Sequence, residues 1–336
     1  MKLNKKYIIG THVMFYEIEV IPEFIQSVVQ AVDGLENPAN VTVDFQFNIS
    51  EYFEKVDTSK FSKKDLIDRF TSELSELEQA GVNLVVDIYE SDKPRTMVDY
   101  RRDLNYFGCQ EHDFVVWGES DCLIPKQIFE VLETLSNYTD ANNIYRYITT
   151  FATRKMWDPS WSPLEHIQFT DKQYYEKDNP LCWTSPHSIR YTMNMDEMNS
   201  INDKYDSFDI RTINQPQFDG SCLVLSADLI KAGCNIHPGI WGLSAEDTAM
   251  MYSCMQILGQ NYLQFIVKNI LKVHNREHPN KRNYVLDYRG TQQSTQANKG
   301  DWYNTVRDLN KENLSIVISN PQKKILSYKD FENKLN

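Results

Sequence analysis

Residues 112–125, HDFVVWGESDCLIP, join a short apolar run to two carboxylates. The run FVVW, residues 114–117, is typical of a buried strand, and Pro125 is typical of the first turn of a helix. Glu119 and Asp121 stand between them, one residue apart. Two acids at this spacing can place oxygens on one hard cation such as Mg²⁺ or Mn²⁺. The alternative is a solvated turn in which Asp121 caps the following helix.

Predicted strands and helices alternate on both sides of this stretch. VTVDFQFN, residues 41–48, has an apolar residue at every second position, which is the period of a strand. Ser62 caps an amphipathic helix that Gly81 stops, and VNLVVDIY, residues 82–89, is again a strand. After Pro125 the pattern KQIFEVLETL predicts another helix. This alternation predicts an α/β fold with a largely parallel sheet and helices on both faces.

The composition excludes some classes of function. The chain has 336 residues and a net charge of −12, so we expect no broad basic surface for a nucleic-acid backbone. Six cysteines without a CxxC pair fit reduced thiols in a cytoplasmic compartment. Glu17 and Glu19 interrupt the N-terminal apolar stretch, and no apolar run reaches about 18 residues. We therefore expect no signal peptide and no transmembrane segment, while the oligomeric state stays open.

Polar residues also follow the first two predicted strands. Thr11 and His12 come directly after the apolar run YIIG, and Asn48 ends the strand of residues 41–48. Ligands of parallel α/β sheets bind where the carboxyl ends of the strands lead into loops. We therefore expect these side chains to lie at the same edge of the sheet as Asp121.

Two pairs of charged residues on predicted helices have both a functional and a structural interpretation. Arg101 and Arg102 can neutralise a diphosphate, or they can form an exposed helix face. Glu246 and Asp247 follow Ser244 at the start of a helix. Ser-x-x-Asp is a capping-box variant, and acids in a first turn suit the helix dipole. The functional alternative makes one of these carboxylates a general base.

The segment KVHNREHPNKR, residues 272–282, is predicted to be a polar loop with two histidines. A neutral imidazole can complete a Mn²⁺ site begun by carboxylates, although a histidine in a polar loop is more often only solvated. His278 precedes Pro279 and has the weaker case, so His274 is the candidate ligand.

Residues 151–220 are rich in proline, aspartate, asparagine and aromatic residues and have poor periodicity. Long irregular segments within a domain are often functional loops. We therefore predict an acceptor wall or lid that includes Trp157, Trp161 and Trp183, with an ordinary packed subdomain as the alternative. The predicted organisation is one domain over residues 1–300 and an appended strand and helix over 301–336.

The order of these segments resembles the GT-A-fold glycosyltransferases. FDGSCLVLSADLIKAGCNIHPGIWGLSAEDTAMM, residues 218–251, resembles in order and spacing the block of beta-1,4-galactosyltransferases that contains WGWGxED. It is similarly close to the galactosyltransferase-like lobe of the polypeptide N-acetylgalactosaminyltransferases. The spacing from Arg102 to Asp121 resembles that of family 2 glycosyltransferases. The likeness spans roughly residues 5 to 290 and implies a Rossmann-like GT-A sheet.

The resemblance assigns a role to each candidate residue. It implies Mn²⁺ or Mg²⁺ on Glu119, Asp121 and His274. It implies a nucleotide at Thr11, His12 and Asn48, a diphosphate at Arg101 or Arg102, and an acceptor at Trp241, Glu246 and Asp247. The chain departs from the family pattern at Glu119, where DxD begins with aspartate, and at Leu243, where WGWG has its second tryptophan. The identity of the sugar therefore does not carry over.

The activity that the resemblance implies is metal-dependent transfer of a sugar from a nucleoside-diphosphate donor, UDP-linked by preference, to a hydroxyl of a glycan or other acceptor. Asp247 takes the proton of that hydroxyl and Glu246 holds the acceptor, so a single displacement inverts the anomeric centre. In a retaining enzyme Asp247 would only position a substrate. A nucleotidyltransferase is one alternative, but it normally has a glycine-rich basic loop where this chain has THVMFYE. A carbohydrate-binding module without catalysis is the other.

Overall fold

The protein folds around one mixed β-sheet, which has nine strands within the described residues. The computed structural model describes residues 1–51, 56–59, 61–93, 95–154, 193–213, 219–241, 246–275 and 308–315. The strands are β1 (Tyr7–Met14), β2 (Val41–Asn48), β3 (Asn83–Tyr89), β4 (Phe114–Trp117), β5 (Cys122–Leu123), β6 (Ile148–Arg154), β7 (Ile210–Ile213), β8 (Leu223–Ser226) and β9 (Gln264–His274). The helices are α1 (Ile21–Val32), α2 (Lys63–Glu73), α3 (Ser75–Gln79), α4 (Met97–Glu111), α5 (Ile128–Ala141), α6 (Met195–Asn202), α7 (Ala227–Lys231), α8 (Glu246–Leu258) and α9 (residues 308–315).

The sheet has the order β3-β2-β1-β4-β8-β6-β9-β5, with β7 also paired to β9. The four strands β3, β2, β1 and β4 are mutually parallel, and β6 is parallel to β9. The antiparallel strands are β8, β5 and β7, so the remaining six strands run in one direction. The predicted α/β fold with a mostly parallel sheet is confirmed. The capping box predicted at Ser62 is also present, with Asp65 as its partner.

Helices cover both faces of the sheet, as the alternation predicted. Side chains on alternate positions of one strand enter different cores, which is the geometry of a pleated strand. Ile9 and Val116 pack in the core that contains residues of α1 and α5. Ile8 and Val115 pack in the core that contains residues of α4, α7 and α8.

The strand order reverses between β1 and β4, and this junction positions the site. β4 ends at Trp117, which pairs with Gly10, whereas β1 continues to Met14. The next residue, Gly118, donates its backbone N–H to the carbonyl of Gly10 at 2.8 Å. A Cβ at Gly118 would lie 2.2 Å from Oγ1 of Thr11, so only glycine fits here. The chain that carries the acid pair therefore runs along the carboxyl end of the central strands, where α/β sheets bind ligands.

Two predictions about the second half of the chain are corrected. The polar loop predicted from residue 272 begins later, because β9 continues to His274. Its last residues pair with β6 on one side and with β5 on the other, and these ladders outweigh the polar pattern. Within the segment predicted to be irregular, residues 193–213 contain α6 and β7, and β7 is held by its pairing with β9.

Several sequence-based predictions fall outside the described residues, namely those for Trp157, Trp161, Trp183 and the Ser244 cap. The domain boundaries at residues 300 and 301 also stay predictions. Among the helices of the described ranges, none combines the length and the apolar character that a membrane span requires.

Candidate active site

Glu119, Asp121 and His274 form a compact cluster at the end of the central strands. One ligand atom from each residue lies within 4.8 Å of the others. Nε2 of His274 is 2.9 Å from Oε2 of Glu119 and 3.4 Å from Oδ1 of Asp121. Asp121 and His274 are buried, and Glu119 is nearly so. The cluster combines two carboxylates with an imidazole.

The pairing of β5 with β9 brings these distant residues together. Cys122 lies opposite His274 in this antiparallel ladder. The backbone N–H of Asn275 donates to the carbonyl of Asp121 at 2.7 Å, which extends the pairing by one residue. Because the register is set by backbone hydrogen bonds, the imidazole is held beside the acid pair independently of any ligand.

The charges around Glu119 keep it ionised. Burial would raise the pKa of Glu119, but the charges of His274 and Arg101 outweigh burial and hold that pKa well below its usual range. Each carboxylate oxygen has one partner, since Oε1 accepts from Arg101 at 2.8 Å and Oε2 faces His274. Glu119 is thus fixed as an anion between two basic groups.

The residues of the cluster fit a divalent cation. Carboxylates and imidazole are the ligands that Mn²⁺ accepts, and carboxylates suit Mg²⁺. Nδ1 of His274 is buried and has no hydrogen-bond partner among the described residues. Ligation through Nε2 requires the neutral imidazole, with the proton on Nδ1. The three residues would then offer the cation two oxygens and one nitrogen.

Arg101 connects this cluster to the start of α8. Its guanidinium is fully buried, and Nη1 donates to Oε1 of Glu246 at 3.0 Å while Nη2 donates to Glu119. Nη2 also lies 2.9 Å from the carbonyl of Gly220, and the guanidinium stacks over Trp117 at 4.7 Å from the ring centroid. The exposed helix face considered from the sequence is therefore wrong for Arg101. Contact with a diphosphate stays a prediction.

Arg102 binds mainly backbone carbonyls, unlike Arg101, which joins side chains of the site. Its guanidinium donates to the carbonyls of Ile236, His237 and Ile240 at 3.2, 3.2 and 2.7 Å. It also pairs with Asp99 one turn earlier on α4, at 3.1 Å. These contacts give Arg102 a role in holding the segment that leads to Trp241, and its predicted diphosphate contact remains untested.

Glu246 and Asp247 lie in the first turn of α8, beside Gly220. A Cβ at Gly220 would lie 3.2 Å from Oε1 of Glu246 and 3.6 Å from Cβ of Asp247, so this glycine allows the close approach. Oδ1 of Asp247 accepts from the backbone N–H of Thr248 at 2.6 Å. Burial first, and then the neighbouring Asp247 carboxylate, raises the pKa of Glu246 to about 7, although Arg101 opposes this shift.

The pKa of Glu246 predicts a pH dependence of stability. The folded protein keeps a proton on Glu246 up to about pH 7, whereas the unfolded chain releases it near the ordinary value of 4.5. Folding therefore takes up a proton between these values, and the free energy of unfolding should fall as the pH rises from about 4.5 to 7. Glu246→Gln should flatten this fall, as measured by urea unfolding at a series of pH values with a chelator present. Glu130→Gln, at an exposed glutamate, is the control, and an unchanged slope in Glu246→Gln would contradict the assignment.

Asn48 ends β2, whereas Thr11 and His12 lie within β1, which continues past its predicted end to Met14. Successive residues of a strand point to opposite faces of the sheet, so His12 lies against Tyr100 of α4 and Thr11 lies on the face of α1. Nε2 of His12 is 3.2 Å from Nδ2 of Asn48, and Nδ2 also donates to the carbonyl of Arg95 at 2.7 Å. Burial, followed by the charges of Arg95 and Arg101, lowers the pKa of His12 to about 3, so its imidazole is neutral. Oγ1 of Thr11 is buried without a hydrogen-bond partner in the part of the chain that the structure describes. A nucleotide at these residues stays a prediction.

A buried ion pair behind the cluster was not predicted from the sequence. Nζ of Lys272 lies 2.6 Å from Oδ2 of Asp219 and 2.7 Å from Oγ of Ser221, and both charged residues are fully buried. Burial alone would lower the pKa of Lys272, but Asp219 and the nearby thiols of Cys122 and Cys222 give a net increase. The polar character of residue 272 indicated a loop, so only the extended β9 places this lysine in the interior.

Replacing Lys272 by methionine should lower the free energy of unfolding by about 3 kcal/mol, because it removes the cation that faces the buried Asp219 carboxylate. Urea unfolding measures this change. The double variant Asp219→Asn/Lys272→Met should recover most of the loss, since neither charge is then buried. A single variant as stable as the wild type would show that the pair is dispensable.

Comparisons with known proteins give distant likenesses. No family model matches the sequence, and no curated protein matches it. S. aureus TarS 1-349 covers 94% of this chain with 73% of its own length, at 11% identity and a TM-score of 0.41. M. tuberculosis glucosyl-3-phosphoglycerate synthase covers 86% of this chain with 77% of its own length, at 13% identity and a TM-score of 0.37. A cytidylyltransferase from Leptospira borgpetersenii covers 96% of this chain with all of its own, at 10% identity and a TM-score of 0.35.

Likenesses at this level do not place the chain in a family. All three TM-scores lie below 0.5. The class that the fold and the site define is an α/β protein with an acidic, imidazole-containing cluster at the crossover of a mostly parallel sheet. Its chemistry has to be inferred from the residues of the site.

Proposed function

We propose that this protein is a metal-dependent glycosyltransferase that moves a sugar from a nucleoside-diphosphate donor, UDP-linked by preference, to a hydroxyl acceptor. One observation carries the proposal. Arg101 joins Glu119 of the cation-type cluster to Glu246, and Asp247 is the next residue. The candidate base therefore lies next to a member of the buried network that contains the leaving-group cluster, so both functions of a sugar transferase meet in one site.

The leaving-group side of the site is the cluster of Glu119, Asp121 and His274. These residues would hold Mn²⁺ or Mg²⁺. When bound, the cation offsets the negative charge on the departing nucleoside diphosphate. Arg101 keeps Glu119 ionised and oriented, and the pairing of β5 with β9 keeps His274 in place.

The donor side lies over the carboxyl ends of β1 and β2. Nδ2 of Asn48 donates to Nε2 of His12. The imidazole is neutral, so its proton lies on Nδ1, which can donate to a ligand. Thr11 is fully buried on the opposite face of the sheet and is therefore not part of this side of the site. We assign His12 and Asn48 to the nucleoside, and Arg102 to the support of the neighbouring segment.

The acceptor side is the start of α8 together with Trp241. Asp247 takes the proton of the attacking hydroxyl, and the attack inverts the anomeric centre. Glu246 has a pKa of about 7 and can hold a proton that it donates to an acceptor oxygen. A protonated Glu246 would supply a hydrogen-bond donor next to the carboxylate that we assign as the base, which is how such pairs divide their roles.

A thermal-shift experiment tests the proposal and separates it from its alternatives. UDP, GDP and CMP are each added with and without Mn²⁺, and we expect the largest increase in Tm for UDP with Mn²⁺. A response to CMP alone would favour a nucleotidyltransferase. Stabilisation by free sugars without a response to any nucleotide would favour a carbohydrate-binding module, and either result would contradict the proposal.

A further inference from the structure

A short helix late in the sequence, α9, packs against the core next to the candidate acceptor side. Leu309 of this helix is buried, and Leu314 packs against the core that contains residues of α4, α7 and α8. Lys311 and Glu312 are exposed, so α9 has one inner and one outer face. On its inner face lie two fully buried asparagines, Asn310 and Asn313.

Asn310 pairs with both backbone polar groups of Trp241. The backbone N–H of Trp241 donates to Oδ1 of Asn310 at 2.8 Å, and Nδ2 of Asn310 donates to the carbonyl of Trp241. Asn313 adds a bond from its Nδ2 to the carbonyl of Gly239 at 2.6 Å. A side-chain amide that bonds both the N–H and the carbonyl of one residue restrains the backbone of that residue.

The same segment, residues 236–241, is held from its other side by α4. Arg102 donates to three of its carbonyls, and its guanidinium lies 5.9 Å from the ring centroid of Trp241. The segment thus has polar anchors on two helices that are far apart in sequence. Glu246 follows five residues after Trp241 in the sequence.

We propose that Asn310 is a positioning residue for the acceptor side of the site, and that α9 is a working part of the transferase and not an appendage. The inference rests on the proposed function. Asn310 holds the backbone of Trp241, the aromatic residue that the proposed function assigns to the acceptor. The hydrogen bonds of Asn310 to Trp241 act on the acceptor side, so we expect its loss to affect the acceptor more than the donor.

Hydrogen–deuterium exchange on the full chain tests the anchoring directly. In Asn310→Ala, amides of residues 236–241 should exchange about 10-fold to 100-fold faster, because two buried hydrogen bonds are lost. Amides of β4 and β9 should keep their rates. Lys311→Ala, on the exposed face of the same helix, is the matched control. Exchange at 236–241 that is equal in the two variants would overturn the proposal.

The acceptor role is tested by comparing transfer with hydrolysis of a UDP-sugar. The acceptor is whichever member of a set of mono- and disaccharides the wild type uses fastest. In Asn310→Ala, kcat/KM for this acceptor should fall about tenfold, while hydrolysis of the donor and its KM stay within twofold of the wild type.

Two results of this comparison have distinct meanings. Equal losses of transfer and hydrolysis would assign Asn310 to general stability and would overturn the acceptor role. Absence of any turnover in the wild type would overturn the proposed function itself, and the exchange measurement would then decide only whether α9 anchors residues 236–241.

Discussion

Asp121→Ala is expected to lower the turnover of a UDP-sugar by about 1,000-fold. Asp121 lies 3.4 Å from Nε2 of His274 and shares the cluster with Glu119. Loss of a bound cation removes several kcal/mol of charge stabilisation at the leaving group, and about 1.4 kcal/mol corresponds to a factor of ten. Hydrolysis and transfer should fall together, because both need the same leaving group. The measurement is steady-state turnover over a Mn²⁺ titration.

The cluster allows a graded series of variants. Asp121→Asn preserves the shape of the side chain and should also lose most activity, which separates loss of the ligand from loss of packing. Glu119→Gln should be milder and should raise the Mn²⁺ concentration needed for half-maximal activity. Asp68→Ala, at an exposed aspartate of α2, is the control. Wild-type turnover by Asp121→Ala would contradict the assignment of Asp121 as a metal ligand.

Asp247→Asn is expected to lower sugar transfer by about 100-fold to 10,000-fold, since a positioned general base contributes on that order. Binding of UDP with Mn²⁺, measured by calorimetry, should remain at the wild-type level, because the proposed function assigns Asp247 to the acceptor and not to the donor. The pH profile of kcat/KM should lose its acid limb in the variant. These results together would assign proton removal, and not substrate binding, to this carboxylate.

The control for this experiment is Asp228→Asn. Asp228 is an exposed aspartate in the first turn of α7, the position that Asp247 has in α8. It therefore accounts for any loss of a favourable helix-dipole interaction. If Asp247→Asn loses UDP binding together with transfer, the base role is wrong. If Glu246→Gln loses transfer and Asp247→Asn keeps the wild-type rate, Glu246 is the base and Asp247 is not.

Local patterns were sufficient for most of the central sheet. The period of two in β2, the capping box at Ser62 and the apolar run of β4 each predicted an element that the structure contains. These signals depend on neighbours within one or two turns of chain, so they can be recognised in the sequence. Asn48 at the end of β2 and the acids after β4 could be placed at one edge for the same reason, whereas Thr11 and His12 lie within β1, which is longer than its apolar run.

Long-range packing decided the rest of the site. Nothing in the local pattern around Arg101 indicated a buried guanidinium between Glu119 and Glu246, because both partners are distant in sequence. The sequence around Lys272 predicted a loop, but pairing with β6 and β5 continues β9 through this residue. A buried charge is stable only beside its partner, and the partner is brought there by the topology of the sheet.

HDFVVWGESDCLIP by itself determined a strand that ends in two carboxylates at the ligand-binding edge of an α/β sheet. The chemical identity of the candidate ligands Glu119 and Asp121 was likewise present in the sequence. The resemblance already implied His274 as the third ligand. Only the tertiary structure showed the β5–β9 ladder that brings His274 to the acid pair and the contacts by which Arg101 joins the cluster to α8. The physical reason is that periodicity reports which face of an element is buried, whereas the partner of a buried charge depends on which strands become neighbours.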